Sequence, residues 1–241
     1  MTNNLEIKPI IKWVGGKTQI IEKIINNFPL EINNYHELFV GGGSVIISLL
    51  KNKKIKINGT INAYDINLKL IILYNVIKTN PIELYNNINS IIKEFNNCPL
   101  IKRTTTNPSN IIEALLSKEN YYYWIRKLFN SIEINETNYI QISSYFIFLN
   151  KTCFRGLYRE GPHGFNVPYG NYKNPEIINY NNLINLSQLI QNVKFYHLDF
   201  NDSIKKIGNN DFTYLDPPYY PIDKKSFVKY NIKDFDLNNH K

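Results

Sequence analysis

Cysteine and alanine are nearly absent from this 241-residue chain, and several other absences narrow what it can be. The two cysteines, Cys98 and Cys153, stand in unrelated contexts and form neither a metal-ligand pair nor a disulfide framework, which sets aside zinc-finger and disulfide-rich secreted scaffolds. The four histidines, His36, His163, His197 and His240, lack ligand spacing, so no metal site is expected. No run of about 18 uncharged apolar residues occurs, so no membrane span is expected. The N-terminus, MTNNLEIKPIIKW, lacks the basic start and apolar core of a signal peptide. The expectation is a soluble intracellular protein. Alanine occurs only at Ala63 and Ala114 while Asn, Ile, Lys and Tyr abound, the imprint of AT-rich coding.

Hydrophobic residues make up 43% and aromatics 14%, enough to bury a core and to exclude a wholly disordered chain. A balance of 28 Lys+Arg against 20 Asp+Glu gives a net charge of +8, which permits a polyanionic partner. Codon bias explains scattered lysines, so where the charge clusters matters more than its total. No internal repeat or Pro/Gly/Ser linker divides the chain, and the Asn-rich patches around Asn86–Asn89 and Asn179–Asn185 read as AT-biased surface.

Periodicity predicts a helix over Thr18–Asn27, a strand over Tyr35–Val40, a helix over Ser44–Lys51, a strand over Thr60–Tyr64 and a helix over Leu68–Thr79. That strand, glycine turn, helix, strand, acid series is half of a doubly wound α/β domain. Helical spacing dominates from Ile82 to Leu149, in Ile82–Phe95, Ile111–Leu116, Tyr121–Phe129 and Ile140–Leu149. Phe154–Tyr172, rich in Gly, Arg and Tyr, reads as a hairpin and loop. A strand at Val193–His197, a helix at Asp202–Ile207 and a strand at Phe212–Leu215 return to the α/β pattern. The expected class is therefore α/β with an inserted helical and hairpin region: a core from residues 1–80 and 190–241, and an insert over 81–189.

Phe39-Val40-Gly41-Gly42-Gly43-Ser44 lies where a strand turns into a helix, and glycine there tolerates positive φ and close approach of a ligand. Asp65, at the end of the next strand, is placed to accept hydrogen bonds from ribose hydroxyls; a turn or helix cap is the plain alternative. Gly15-Gly16-Lys17-Thr18 fails as a phosphate-binding P-loop because Ile11 stands where that motif needs glycine. Asp216-Pro217-Pro218-Tyr219 follows a strand, and its prolines fix a corner presenting a carboxylate, a carbonyl and an aromatic ring together. An exocyclic amine conjugated to a purine gains nucleophilicity when both its protons find acceptors. Asp216 and the Pro217 carbonyl can supply them while Tyr219 stacks on an extruded base. Cytosine carbon-5 chemistry would need a Pro-Cys thiolate, and Cys98-Pro99 has the reverse order.

The set Lys12-Trp13-Val14-Gly15-Gly16-Lys17, the glycine turn at 39–44, Asp65, Phe165-Asn166-Val167-Pro168-Tyr169-Gly170 and Asp216–Tyr219 resembles the Dam-like N6-adenine-specific DNA methyltransferases (D12 class), from about Ile10 to the C-terminus. The resemblance implies a Rossmann-like sheet with an inserted target-recognition domain, S-adenosylmethionine as cofactor and double-stranded DNA as partner. It implies that Trp13 and Lys17 enclose the cofactor, that Phe39, Gly41 and Gly43 lie under its methionine part and that Asp65 binds its ribose. It further implies that Asp199 and Phe200 flank the cofactor's adenine and that Asp216, Pro217 and Tyr219 form the catalytic corner, with Asp216 also beside the cofactor. The DNA-reading residues it implies are Lys151, Arg155, Tyr158, Arg159, Asn166, Tyr169 and Lys173. Arg155-Gly156 departs from the Asn-Gly of many GATC-specific members and leaves the recognition sequence open.

The family's catalytic strand is followed by a loop, a helix and further strands. Ser226–Tyr230 resembles that loop and Leu237–Lys241 the opening of the helix. The expectation is a C-terminally truncated chain that leaves a sheet edge open, to be completed by a missing segment or second chain and otherwise monomeric. The alternative function is accordingly a catalytically weak or inactive DNA-binding relative.

Overall fold

A computed structural model describes residues 7–218. Tyr219, Ser226–Tyr230 and Leu237–Lys241 lie outside the described residues.

In chain order the elements are α1 (Ile21–Ile25), β1 (Glu31–Ile32), β2 (Tyr35–Glu37), α2 (Ser44–Lys51), β3 (Lys56–Ile57), β4 (Ile61–Asp65), α3 (Leu68–Thr79), α4 (Pro81–Asn97), α5 (Ile111–Ala114), α6 (Lys118–Ser131), α7 (Tyr139–Thr152), β5 (Glu160–Gly161), β6 (Gly164–Phe165), α8 (Tyr180–Leu189), β7 (Val193–His197), α9 (Phe200–Ser203) and β8 (Phe212–Tyr214). The central sheet is parallel throughout, in the order β7-β4-β2-β8. Glu37 pairs with both Ala63 and Tyr214, and Asp65 pairs with His197. That register brings the carboxyl ends of all four strands to one edge, where α/β sheets bind ligands. Among the described residues, this is an α/β fold with a parallel central sheet and nine α-helices, none of them long and apolar enough to cross a membrane.

The 12-residue α3 is the packing hub. Asn67 caps it by accepting the Leu70 N–H, and Leu70, Ile71, Leu73, Tyr74 and Ile77 are buried. Tyr74 stacks on Phe195 of β7 at 4.6 Å, which seats α3 on the sheet. On its other side α3 packs against α7, whose residues Ile142–Asn150 are all buried. Phe148 of α7 meets Phe95 of α4 edge-on at 5.2 Å, and Phe146 meets Phe129 of α6. The buried apolar side chains of the sheet and of the 81–189 region form one continuous cluster.

Three sequence expectations need correction. The first helix is regular only over Ile21–Ile25, with Thr18–Ile20 in turns; Ile20 at its N-cap offers no capping oxygen. The helix expected at Asp202–Ile207 starts earlier, because Asp199 caps it through the Asn201 N–H, and ends as a 3-10 turn over Ile204–Lys206. The Asn179–Asn185 patch is not plain surface. Asn179 accepts the Asn182 N–H and starts α8, which buries Leu183, Leu186 and Ser187 against α3 and α4. Asparagine is a poor helix former but a good N-cap, and three-residue spacing of the leucines decides the outcome.

Leu183→Ala is therefore expected to cost about 2–5 kcal/mol of unfolding free energy, as for a fully buried leucine. Asn181→Ala, on the exposed face of α8, should stay within about 0.5 kcal/mol of wild type. Chemical denaturation of the two variants checks the assignment.

Candidate functional site

The turn after β2 is held from three sides. Gly41 (φ 47°) and Gly43 (φ 74°) adopt backbone that L side chains rarely take. The Gly41 N–H donates to Asp65 Oδ2 at 3.1 Å, and the Tyr74 hydroxyl donates to the Gly41 carbonyl at 2.8 Å. Trp13 closes the third side: a Cβ on Gly41 would fall 2.7 Å from its ring. Lys17 N–H donates to Ser44 Oγ at the start of α2, tying the N-terminal strap to the turn.

Asp65 accepts one backbone N–H on each oxygen, from Gly41 and from Asn67 at 2.9 Å. Burial raises its pKa and the backbone hydrogen bonds oppose the rise. Each oxygen keeps a further lone pair. Phe39, past the end of β2, stacks on Phe200 at 5.4 Å with 18° between the rings. Asp199, past the end of β7, turns its carboxylate back on the Asn201 amides at the start of α9. At the neighbouring edge, Asp216 follows β8, and its Oδ2 lies 2.5 Å from Lys17 Nζ, which also donates to the Gly15 carbonyl. The strand-end edge thus gathers a carboxylate with free lone pairs, a glycine turn, aromatic faces and an ion-paired aspartate. This donor set fits a nucleoside that carries a cationic tail.

The segment after α7 is pinned as a second surface. Phe154 N–H donates to the Pro168 carbonyl and Gly170 N–H to the Thr152 carbonyl, both at 2.8 Å. Between them Arg155 (φ 57°) and Gly156 (φ 64°) make a left-handed corner. It leaves Arg155 exposed and Phe154 45% exposed, with the guanidinium 5.1 Å over the Phe154 ring. The expected hairpin exists in short form: β5 and β6 pair antiparallel around Pro162-His163, and Arg159 Nε donates to Asn166 Oδ1 at 2.6 Å. Lys173 and Asn166 are exposed, while Lys151 is half-buried, with its pKa lowered by burial and by Lys12.

Two rings expected to face DNA are covered to different degrees. Tyr158 is only 5% exposed and stacks beneath Trp13 at 5.4 Å, with its hydroxyl on Glu160, so its burial removes it from the open surface. Tyr169 is half-buried against Tyr122.

Sequence reasoning missed Glu37. It is 2% exposed at the end of β2, and its Oε2 accepts the Tyr35 hydroxyl at 2.8 Å. Burial raises its pKa to about 8, with the Asp216 charge adding to the rise and the Tyr35 hydrogen bond opposing it. An acid just before a strand-terminal glycine turn was the available signal.

A family model described as D12 class N6 adenine-specific DNA methyltransferase matches residues 13–241. The chain is 39% identical to the Type II methyltransferase M.MjaIII of Methanocaldococcus jannaschii, over 96% of this chain and 76% of that protein. It is 29% identical to the Type II methyltransferase M1.LlaDCHI of Lactococcus lactis subsp. cremoris, over 97% and 73% of the two chains. The DNA adenine methylase of Haemophilus influenzae is also 29% identical, over 97% and 71%.

Glu37 gives the site a pH signature. Its folded pKa of about 8 stands above the ordinary 4.5, so the folded chain holds a proton that the unfolded chain releases between those values. The stability this proton represents is complete below pH 4.5 and is lost as pH rises through 8, by about 1.4 kcal/mol per unit within the window. Denaturation profiles should show Glu37→Gln gaining on wild type between pH 5 and pH 8; parallel profiles would contradict a buried protonated acid.

Proposed function

The chain belongs to the D12 class of N6 adenine-specific DNA methyltransferases, and on that footing we propose that it transfers a methyl group from S-adenosylmethionine to the exocyclic amine of an adenine flipped out of a short duplex site. The observation that carries this reading is the convergence, at the carboxyl edge of one parallel sheet, of the glycine turn, Asp65 and the Lys17–Asp216 pair. When bound, S-adenosylmethionine supplies a methyl group on a cationic sulfur, whose C–S bond breaks as the N–C bond to adenine forms.

Trp13, Lys17, Phe39, Gly41, Gly43, Asp65, Asp199, Phe200 and Asp216 line the cofactor side. Asp65 offers its remaining lone pairs to the ribose hydroxyls, and the Phe39–Phe200 pair presents a flat apolar face to the adenine ring. The glycine turn and Trp13 enclose the methionine part.

On the substrate side, Asp216 and the Pro217 carbonyl accept the two amino protons of the flipped adenine. This draws the nitrogen lone pair out of conjugation with the ring. The Lys17 ammonium holds the Asp216 carboxyl group aimed at the site until the amine takes its place. Asp216 then receives the proton that the methylated amine sheds. Tyr219, outside the described residues, is assigned by its motif to stack on the base. No covalent intermediate is needed; positioning carries the transfer.

The duplex lies against the basic face formed by Arg155, Arg159, Lys151 and Lys173, with Asn166 steering Arg159. Contact of these side chains with phosphates supplies the sequence-independent part of binding. Tyr158 and Tyr169 support this face from beneath. The insert over 81–189 serves as the target-recognition region, with α6 and α7 as its rigid base.

Tritiated methyl transfer to unmethylated duplex DNA tests the mechanism. Asp216→Ala should lose about 10²-fold or more in rate while retaining DNA in a filter-binding assay. Equal incorporation by variant and wild type would overturn the assignment.

A further inference from the structure

Two segments assigned above to different ligands, the strap at Lys12–Trp13 and the turn at Phe154–Arg159, are joined through one side chain. Asn150, in the last turn of α7, is 1% exposed. Its Oδ1 accepts the Lys12 N–H at 2.8 Å, and its Nδ2 donates to the Lys12 carbonyl at 2.8 Å and to the Gly156 carbonyl at 3.2 Å. The amide therefore pairs both ways with the backbone of one residue, as a neighbouring strand would, and spends its remaining hydrogen on the other segment.

Helix packing alone does not call for this residue. Asparagine is a weak helix former, and its neighbours Ile147, Phe148 and Leu149 are all fully buried apolar side chains. A buried amide is costly unless its hydrogen bonds are made, and here its partners lie 138 residues upstream and six residues downstream. The same two segments touch again on either side of the amide. Tyr158 stacks beneath Trp13, and any side chain on Gly156 would run into the Lys12 stem. Trp13 in turn rests on Gly41 and Gly42 of the glycine turn.

We propose that Asn150 is a positioning residue that couples the two ligand sites, so that ordering the Arg155–Gly156 corner on DNA also fixes Trp13 over the cofactor turn. This rests on the site assignments made above. Coupling of this kind is reciprocal: whatever factor DNA adds to cofactor affinity, the cofactor adds to DNA affinity. Asn150 touches neither ligand, so its removal should weaken the linkage more than either affinity alone.

The test is equilibrium dialysis of radiolabelled S-adenosylhomocysteine against wild type and Asn150→Ser, each with and without saturating unmethylated PCR-made duplex. In wild type the duplex should tighten binding by about 5-fold or more, the lower end of ordinary coupling. In Asn150→Ser the short hydroxyl cannot span both segments. The ratio should then fall to about 2-fold or less, with binding in the absence of DNA within about 3-fold of wild type, since most of the linkage is lost. A merely structural role would lower affinity or melting temperature and leave the ratio alone; an unchanged ratio, or no coupling in wild type, overturns the proposal. Failure of wild type to bind the product at all would remove the cofactor assignment itself and the coupling with it. Should Asn150→Ser not fold, hydrogen exchange on wild type decides. S-adenosylhomocysteine alone should slow exchange across residues 154–158, and unchanged exchange there overturns the coupling.

Discussion

The backbone of Gly41 is the fixed point around which the rest of the site is built. Its N–H is held by Asp65, its carbonyl by the Tyr74 hydroxyl, and its open face by Trp13. Each contact reaches a different element: Asp65 ends β4, Tyr74 belongs to α3, and Trp13 precedes α1. Tyr74 also stacks on Phe195, so the hydroxyl that holds the turn is part of the packing that seats α3 on the sheet. A side chain at position 41 would have to displace the tryptophan and adopt a disfavoured φ together. Glycine is required there by close approach as well as by backbone conformation.

The second surface is shaped by another constraint. A non-glycine residue at φ 57°, such as Arg155, stores strain of about 1–3 kcal/mol and persists only where its surroundings over-determine it. They do so here through the paired backbones of Thr152–Phe154 and Pro168–Gly170, and through the grip of Asn150 on Gly156. The strained corner turns Phe154 and Arg155 outward together. Packing alone does not account for strain that presents an aromatic ring and a guanidinium on an open face, which agrees with the recognition role proposed for it.

The sequence was most legible where period and punctuation agreed. Ser44–Lys51, Leu68–Thr79 and Val193–His197 fall on the expected residues because apolar spacing, a glycine or asparagine start and the next strand or acid all point the same way. It was least legible where one residue type carried two meanings. Asparagine read as coding bias hid a capped helix at Tyr180–Leu189, and tyrosine expected among the DNA-reading residues hid the buried support of Trp13 at Tyr158. Glu37 was overlooked because a lone glutamate at a strand end looks like surface; only the register of β2 between β4 and β8 buries it. Partnership across long sequence separations, as between Asn150 and Lys12 or Lys17 and Asp216, has no signature in a single chain.

Three carboxyl groups, Glu37, Asp65 and Asp216, share the carboxyl edge of adjacent strands, and like charges at such a spacing would destabilise one another unless each were handled separately. Glu37 is buried with its proton and hydrogen-bonded to Tyr35. Asp65 faces two backbone N–H groups, and Asp216 faces an ammonium. The proton on Glu37 matters to its neighbour: ionised, it would place an uncompensated buried charge beside Asp216. Kept neutral, it leaves Asp216 as the acceptor at that corner and Asp65 as the acceptor across the glycine turn. In the proposed reaction the methyl donor and the amine meet at an edge where two carboxyl groups, Asp65 and Asp216, are each already oriented by a partner that a ligand can replace or share.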